Sequence, residues 1–237
     1  MKTVDPLYIA LDMETDREAI DFLDYHHLAS LPVKVGMELF YQSGPAIISS
    51  LKERQHPIFL DLKLHDIPTT VKKAMRNLAR LDVEVVNVHA QGGIEMIAAA
   101  REGLEAGCQG KERPVLLAVT QLTSTDQTMF TEELRQQGTV KESVIHLAQL
   151  AKEGGADGVV CSVHEVKAIK EACGDNFLTV TPGIRPEGSD RNDQKRAATP
   201  KEAKQEGTDS IVVGRAITAA EHPGKNYQQI VEEWNHD

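Results

Sequence analysis

Two carboxylates and an amine lie close together at the end of a short apolar run. Asp61, Lys63 and Asp66 follow the apolar residues 58–60, and this pattern predicts a buried strand that leads into a loop. Because side chains alternate along a strand, Asp61 and Lys63 are expected to share one face. Charged groups in such a place are costly to bury unless they are paired and hydrogen-bonded. The segment therefore predicts either a structural ion pair at a strand end or a set of catalytic groups.

A second lysine lies inside another apolar run. Lys34 stands between two valines, and lysine is almost never fully buried without a partner. Within one fold, Lys34 and Lys63 need more negative charge nearby than Asp61 alone supplies. Asp66, together with Asp12 at the end of the first apolar run, is expected to supply it. The sequence thus predicts a set of charges that balance one another.

The last two apolar runs are followed by residues suited to an anion. Gly183 and Arg185 begin a highly polar segment, and we predict a mobile loop over residues 183–196. Gly214 allows a ligand to approach the backbone closely, and a helix that starts there directs free N–H groups at an anion. Arg185 and Arg215 can add charge-assisted, bidentate bonds. We predict a site for a phosphorylated small molecule; the alternative is an ordinary mobile loop beside a surface arginine.

Short apolar runs alternate with amphipathic stretches along the chain, which is typical of βαβ units and a parallel sheet. Since the runs are apolar at nearly every position, both faces of the sheet are expected to be covered. The predicted strands are Leu7–Leu11, Val33–Met37, Ile58–Leu62, Val83–Val88, Val115–Val119, Gly158–Cys161, Leu178–Val180 and Ile211–Val213. The predicted helices are Arg17–His27, Gly44–Arg54, Val71–Leu81, Ile94–Gly107, Val140–Gly154, Val163–Cys173 and Pro200–Glu206. About eight such units favour a single-domain (β/α)₈ barrel over residues 1–237.

The composition argues against several classes of partner. A formal net charge of −10 would repel nucleic acid and anionic membranes, so neither is predicted to bind. No apolar run approaches the roughly 18 residues of a membrane span, and the amino terminus has no signal-peptide pattern. The three cysteines are widely spaced, which favours free thiols in a reducing compartment, and we predict a cytoplasmic protein. Because neither a G-x-G-x-x-G nor a Walker motif occurs, no dinucleotide or ATP site is predicted.

The polar positions at the strand ends together resemble the orotidine 5′-phosphate decarboxylase family, in its bacterial form. The resemblance covers nearly the whole chain and rests on the segments Ile-Ala-Leu-Asp12, Val-Lys34-Val-Gly, Asp61-Leu-Lys63-Leu-His-Asp66-Ile-Pro-Thr-Thr70-Val, Asn-Val-His89-Ala, Leu-Thr123-Ser, Thr-Pro-Gly-Ile-Arg185-Pro and Val-Val-Gly214-Arg215. The third of these is the most specific, although Thr69 stands where asparagine is more usual. The resemblance implies a dimeric barrel that converts orotidine 5′-phosphate to UMP and CO₂ in pyrimidine biosynthesis. It implies no metal and no organic cofactor.

The resemblance also assigns roles around the reacting carbon. Lys63 would be the proton donor, in an alternating array with Lys34, Asp61 and Asp66. Asp66 and Thr70 would reach into the site of the partner subunit. The active sites of a homodimer would then be shared between its two chains.

The other matched positions would bind the substrate. Asp12 and Lys34 match positions that bind the ribose. Thr123 matches the hydroxyl that contacts the pyrimidine, and Gln194 matches the lid residue that bridges pyrimidine and phosphate. The phosphate contacts would be Arg185, Gly214 and Arg215.

Two other functions fit part of the pattern. A Mg²⁺-dependent decarboxylase or aldolase that acts on a sugar phosphate, in the same barrel superfamily, would share the strand around Asp61. Such enzymes use an acidic residue on the second strand, where this chain has Lys34, with Glu38 four residues further on. An ammonium group repels a divalent cation, which argues against this alternative. A non-catalytic barrel that binds a phosphorylated ligand is the third hypothesis, and the intact set of charges argues against it.

Overall fold

The predicted strands close into a barrel. The computed structural model describes residues 2–186 and 197–235 of the chain. Each strand pairs in parallel with the next strand in sequence, and the last pairs with the first. The strands are β1 (Leu7–Leu11), β2 (Val33–Gly36), β3 (Ile58–Leu64), β4 (Val85–His89), β5 (Val115–Val119), β6 (Gly158–Val160), β7 (Leu178–Thr181) and β8 (Ser210–Val213). The prediction of a (β/α)₈ barrel is confirmed.

Helices connect the strands. They are α1 (Asp16–Tyr25), α2 (Met37–Ser43), α3 (Pro45–Glu53), α4 (Pro68–Ala79), α5 (Gly93–Gly107), α6 (Val140–Glu153), α7 (Val166–Cys173), α8 (Pro200–Gln205), α9 (Arg215–Thr218) and α10 (Pro223–Asn235). The helix expected from Val71 begins earlier, because Pro68 occupies its first turn, where proline is favoured. Met37, expected to end the second strand, instead begins α2.

Side chains on the strands alternate between two apolar clusters. One cluster fills the barrel and includes Tyr8, Phe59, Val85, Leu117 and Val180. The other lies between the strands and the helices and includes Ile9, Leu60, Val86, Ala118 and Val213. The inward rows continue with polar residues, since Asp61 follows Phe59 by two positions and Asn87 follows Val85 by two. Polar groups therefore converge inside the carboxyl end of the barrel.

Acidic residues hold the amino-terminal end of the barrel together. Each of three such residues directly precedes an even-numbered strand and accepts a hydrogen bond from a backbone N–H of the strand before it. The pairs are Glu84 with Ile58, Asp157 with Leu116, and Asp209 with Thr179. Asp157 also binds Arg113 through two bonds of 2.7 and 2.8 Å. This end of the barrel is thus cross-linked strand to strand, which fits a role in stability.

The three cysteines, Cys108, Cys161 and Cys173, are buried thiols. Burial raises the pKa of the Cys108 and Cys173 thiols, which keeps them neutral. In the parts of the chain that the structure describes, no helix combines the length and the apolar character needed to cross a membrane.

Candidate active site

A cavity of about 320 Å³ opens at the carboxyl ends of the strands. One part of its wall is polar and contains Lys34, Asp61, Lys63 and Thr123. Another part is apolar and contains Phe59, Val119, Val160 and Val212. A concave site with an apolar wall and a few convergent polar groups is typical of small-molecule binding. Barrel enzymes carry their chemistry at this end.

A second cavity, of about 400 Å³, lies at the amino-terminal end. Its charged groups are engaged within the chain: Lys2 pairs with Glu112, and Arg113 pairs with Asp157. The Glu84 carboxylate accepts a backbone N–H. Since barrel enzymes place their chemistry at the carboxyl ends of the strands, the first cavity is the candidate site.

The charged residues predicted from the sequence lie side by side in that site. Asp61 Oδ1 is 2.7 Å from Lys63 Nζ, and Asp61 Oδ2 is 3.3 Å from Lys34 Nζ. Lys34 Nζ is also 3.1 Å from Asp12 Oδ1. Negative and positive groups alternate in the order Asp12, Lys34, Asp61, Lys63. Asp12 therefore supplies the second carboxylate that the two lysines were predicted to need.

Burial and charge act in opposite directions on this array. Burial by itself would lower the pKa of Lys34, but the charges of Asp61 and Asp12 outweigh it and raise that pKa. Burial would likewise raise the pKa of Asp61, and the ammonium groups of Lys34 and Lys63 outweigh it and lower the pKa. Both groups are held in their charged forms in a place where water is largely excluded. Electrostatic interactions are strong in such a place.

Lys63 lies in an irregular part of β3. The pairing with β4 shifts between Leu60 and Leu64, so residues 61–63 form a bulge. Lys63 has φ of 50°, a left-handed conformation that costs a residue other than glycine about 1–3 kcal/mol. Among the strand residues that the structure describes, no other non-glycine residue has a positive φ. Bulges next to active sites redirect a side chain, and this one aims the Lys63 amine at Asp61.

Asn87 belongs to the site, although the sequence did not single it out as functional. Its Nδ2 donates to Asp61 Oδ1 at 2.6 Å, and its Oδ1 accepts the backbone N–H of Lys63 at 2.7 Å. Asn87 is 1% exposed. The available signal was a lone amide in the apolar run Val-Val-Asn-Val, on the inward row of a predicted strand.

Asp66 and Thr70 lie outside the array. Asp66 is exposed, and its carboxylate accepts the backbone N–H of Ile67 at 2.6 Å. Among the described residues, no lysine, arginine or histidine forms an ion pair with it. Thr70 is exposed in the first turn of α4. Within a single chain, the structure does not bring these two residues together with Lys63.

Two arginines lie near each other at the ends of β7 and β8. Arg185 is buried, and burial together with the charge of Arg215 lowers the pKa of its guanidinium group. Among the described residues, Arg185 Nε has no hydrogen-bond partner, while Nη1 donates to the Ile184 carbonyl at 2.8 Å. Adjacent cations with a buried, unpaired donor form an environment that favours an anion.

The backbone around these arginines leaves room for a ligand. A Cβ atom added at Gly214 would meet Asp12 Oδ2 at 3.5 Å, which is an ordinary contact, so packing within the chain does not require glycine there. The helix predicted after Gly214 is present, but α9 has only 4 residues.

Two predictions concern the loop after β7. Its two ends are joined by a backbone bridge between Ile184 and Ala198. Residues 187–196, the greater part of the predicted mobile loop, lie outside the described residues, and Gln194 is among them.

Thr123, in the segment after β5, is predicted to contact the pyrimidine, and it lines the cavity.

Comparison with known proteins points to one family. The model of the Orotidine 5′-phosphate decarboxylase / HUMPS family matches residues 5–230. Proteins named orotidine 5′-phosphate decarboxylase from Bacillus cytotoxicus and Bacillus mycoides are 58% and 57% identical to this chain, each over 96% of both chains. The crystal structure of orotidine 5′-phosphate decarboxylase from Lactobacillus acidophilus aligns with a TM-score of 0.86 and 43% identity, covering 98% of this chain and 100% of that one.

Proposed function

The chain belongs to the orotidine 5′-phosphate decarboxylase / HUMPS family, and from this we propose that it decarboxylates orotidine 5′-phosphate to UMP and CO₂ in de novo pyrimidine biosynthesis. The observation that carries the proposal is the array of Asp12, Lys34, Asp61 and Lys63 in the wall of the cavity. The array supplies charges where this reaction needs them.

The reaction is difficult because of where it leaves electrons. When the bond between C6 of the pyrimidine and the carboxyl carbon breaks, its electron pair remains on C6, and no adjacent carbonyl can delocalise it. The site must stabilise this carbanion electrostatically and then protonate it. The Lys63 ammonium is suited to both tasks.

We assign the proton transfer to Lys63. The C6–carboxyl bond breaks, CO₂ leaves, and a proton passes from Lys63 Nζ to C6, which gives UMP. Lys63 is left as a neutral amine and regains a proton from solvent. No electron leaves or enters the system, so the step needs no oxidant or reductant.

Asp61 has two conceivable roles in this step. It could repel the substrate carboxylate, a ground-state effect that is contested, or it could hold Lys63 charged and aimed. Its 2.7 Å contact with Lys63 Nζ supports the second role. Lys34, on the other side of Asp61, keeps that carboxylate ionised and, with Asp12, is proposed to bind the ribose.

The phosphate is proposed to bind between the ends of β7 and β8. Arg185 and Arg215 supply the positive charge, and the backbone at Gly214 supplies close approach. The phosphate does not react, but its binding energy can be used at the transition state and so raise kcat. Thr123, in the cavity wall, is proposed to contact the pyrimidine.

The enzyme is proposed to act as a homodimer with shared sites, in the cytoplasm. Asp66 is exposed and without an ion pair among the described residues, and the neighbouring Ile67 is 67% exposed. Because Asp66 follows the carboxyl end of β3, a second copy of the chain that docks at this end of the barrel can receive its carboxylate. Asp66 and Thr70 would complete the partner's array.

The Mg²⁺-dependent alternative fits the site less well. Mg²⁺ prefers carboxylate oxygens and water. Here both oxygens of Asp61 face ammonium groups, and the Lys34 ammonium also forms an ion pair with Asp12. A sugar-phosphate reaction through a metal would require these pairs to break.

An absorbance assay tests the proposal. Purified protein with orotidine 5′-phosphate should convert it to UMP, followed by the ultraviolet change and by chromatography, with equal rates in the presence and absence of EDTA. Lys63→Ala should lose far more than the ~10²–10⁴-fold usual for one general acid. Lys72→Ala, which removes an exposed lysine of α4 that pairs with Glu102 of α5, is the matched control and should keep full activity. Lack of conversion by the wild-type protein, or a rate that EDTA abolishes, would overturn the proposal.

A further inference from the structure

Asn87 joins the two residues on which the proposed chemistry depends. Its amide nitrogen donates to Asp61 Oδ1, the same oxygen that lies 2.7 Å from Lys63 Nζ. Its amide oxygen accepts the backbone N–H of Lys63. One buried side chain thus fixes both ends of the Asp61–Lys63 pair.

The position of Asn87 opposite the bulge explains why a side chain is needed there. In the register of β3 and β4, Leu60 pairs with Val86 and Leu64 pairs with Val88, so Asn87 faces residues 61–63. The bulge takes the Lys63 N–H out of the regular ladder. The Asn87 amide oxygen replaces the missing backbone acceptor at 2.7 Å.

The chemistry of the amide matters as well as its shape. Asp61 Oδ1 receives two hydrogen bonds, one from a charged amine and one from the neutral Asn87 amide. Of the common polar side chains of this size, only asparagine offers a fixed donor to Asp61 and a fixed acceptor to Lys63. Aspartate keeps the acceptor but loses the donor, and leucine loses both.

We propose that Asn87 is a positioning residue for the proton transfer: it holds the Lys63 backbone in its left-handed conformation and orients the Asp61 carboxylate, so that the Lys63 amine is aimed into the cavity. The inference rests on the proposed function. It adds a specific role for a residue that does not need to touch the substrate.

The test compares Asn87→Ala and Asn87→Leu with the wild-type enzyme, using orotidine 5′-phosphate as substrate and UMP as a binding probe. Both variants should lower kcat by about 10- to 100-fold, the effect of losing a hydrogen bond to a charged group. The KM for substrate and the affinity for UMP should change by less than about threefold, because phosphate and ribose contacts are untouched. Asn87→Leu keeps nearly the same size and loses both the donor to Asp61 and the acceptor for the Lys63 N–H.

Thr179→Val is the matched control. Thr179 is also a fully buried polar residue of a barrel strand, and its hydroxyl is 3.0 Å from Asp209 at the opposite end. This variant should lower the melting temperature and leave kcat unchanged.

A purely structural role predicts a different pattern. Asn87→Leu, which keeps nearly the same size but has no polar atom in the side chain, would then match wild-type kcat, and that result would overturn the inference. Loss of UMP affinity in parallel with kcat in both variants would overturn it too, because the whole site would be damaged. If the wild-type enzyme itself does not convert orotidine 5′-phosphate, the proposed function fails, whatever the variants do.

Discussion

Asp61 is the residue on which the site converges. Both of its oxygens are used: one is shared by Lys63 and Asn87, the other faces Lys34. It is 7% exposed, and a carboxylate at such depth is tolerated only because it is paired and hydrogen-bonded on all sides. Removing any one partner leaves a buried charge without compensation, which makes these residues interdependent.

The charge on Asp61 predicts how stability depends on pH. The pKa of Asp61 is lower in the folded chain than in the unfolded chain, where it lies at about 3.9. Its contribution to the free energy of unfolding is therefore present above about pH 4 and is lost as pH falls through the folded pKa. We expect the difference in unfolding free energy between wild type and Asp61→Asn to be level from about pH 8 to 5 and to shrink below about pH 4. Urea unfolding at several pH values measures it, and a difference that grows on acidification would contradict this assignment.

Arg215 gives a second prediction at this scale. If it binds the phosphate dianion, Arg215→Ala should lower kcat/KM by about 1.5–3 kcal/mol, partly through kcat, because phosphate binding energy is used at the transition state. Added guanidinium ion should restore part of the activity, since it matches the vacated space in shape and charge. Arg80→Ala, which removes an exposed arginine at the end of α4, is the control. Unchanged steady-state constants for Arg215→Ala would exclude the phosphate contact.

Charged residues of the site stand out in the sequence, whereas the neutral Asn87 does not. Lys34 and Asp61 stand out because a charge inside an apolar run needs a reason to be there. Asn87 carries no charge, and its importance arises from the bulge at Lys63, which alternation along a strand does not predict. The sequence assigned the balancing charge to Asp66 together with Asp12, and the structure pairs Lys34 with Asp12, because the contact depends on which strand ends meet in space.

At the scale of elements, the barrel could be predicted because its strands are short, apolar and regularly spaced. The start of β4 was placed two residues too early, at Val83 instead of Val85, because Glu84 serves as a bond between strands and not as part of one. The helices α2 and α10 were not predicted. With 7 residues, α2 is too short for its periodicity to stand out. By contrast, α10 follows β8 in the last βα unit and buries Ile230 and Trp234, an apolar pattern that its sequence does contain.

The bonds between strands at the amino-terminal end predict a separation of stability from activity. Arg113 and Asp157 form a two-bond ion pair with side chains only 11% and 12% exposed. Arg113→Ala leaves Asp157 as an unpaired, buried carboxylate, so unfolding free energy should fall by roughly 3–5 kcal/mol. The kcat should not change, since the pair lies at the opposite end of the barrel from the cavity. Thermal and urea unfolding, with the same activity assay, measure both quantities.

A surface ion pair provides the comparison for that variant. Lys111 pairs with Asp82 at 2.9 Å, but its side chain is 65% exposed. Lys111→Ala should therefore cost less than about 1 kcal/mol. Equal losses of unfolding free energy in the Lys111 and Arg113 variants would show that burial of the Arg113–Asp157 pair adds nothing to stability.

At the scale of the whole molecule, a single chain does not place Asp66 in the array, where the resemblance assigns it. Asp66 follows Lys63 closely in sequence, yet the chain turns away at Pro68 into α4. The Asp66 carboxylate accepts the backbone N–H of Ile67. The local geometry therefore separates two residues that the resemblance assigns to one site. A second copy of the chain, related by a two-fold axis, resolves this if each Asp66 completes the other's array.

Mixing two inactive variants tests this arrangement directly. Lys63→Ala and Asp66→Ala homodimers should each be nearly inactive. After subunit exchange at equal concentrations, half of the dimers should be mixed, and each mixed dimer has one site with an intact Lys63 from one chain and an intact Asp66 from the other. About a quarter of all sites should then be active, so the activity should rise to about a quarter of that of wild type at the same total chain concentration, as two-fold symmetry with random pairing requires. Exchange is verified by mass spectrometry of differently tagged chains, and wild type mixed with Lys63→Ala serves as the reference for dilution. Verified exchange without recovery would mean that Asp66 acts within its own chain, or not at all, and the shared site would have to be abandoned.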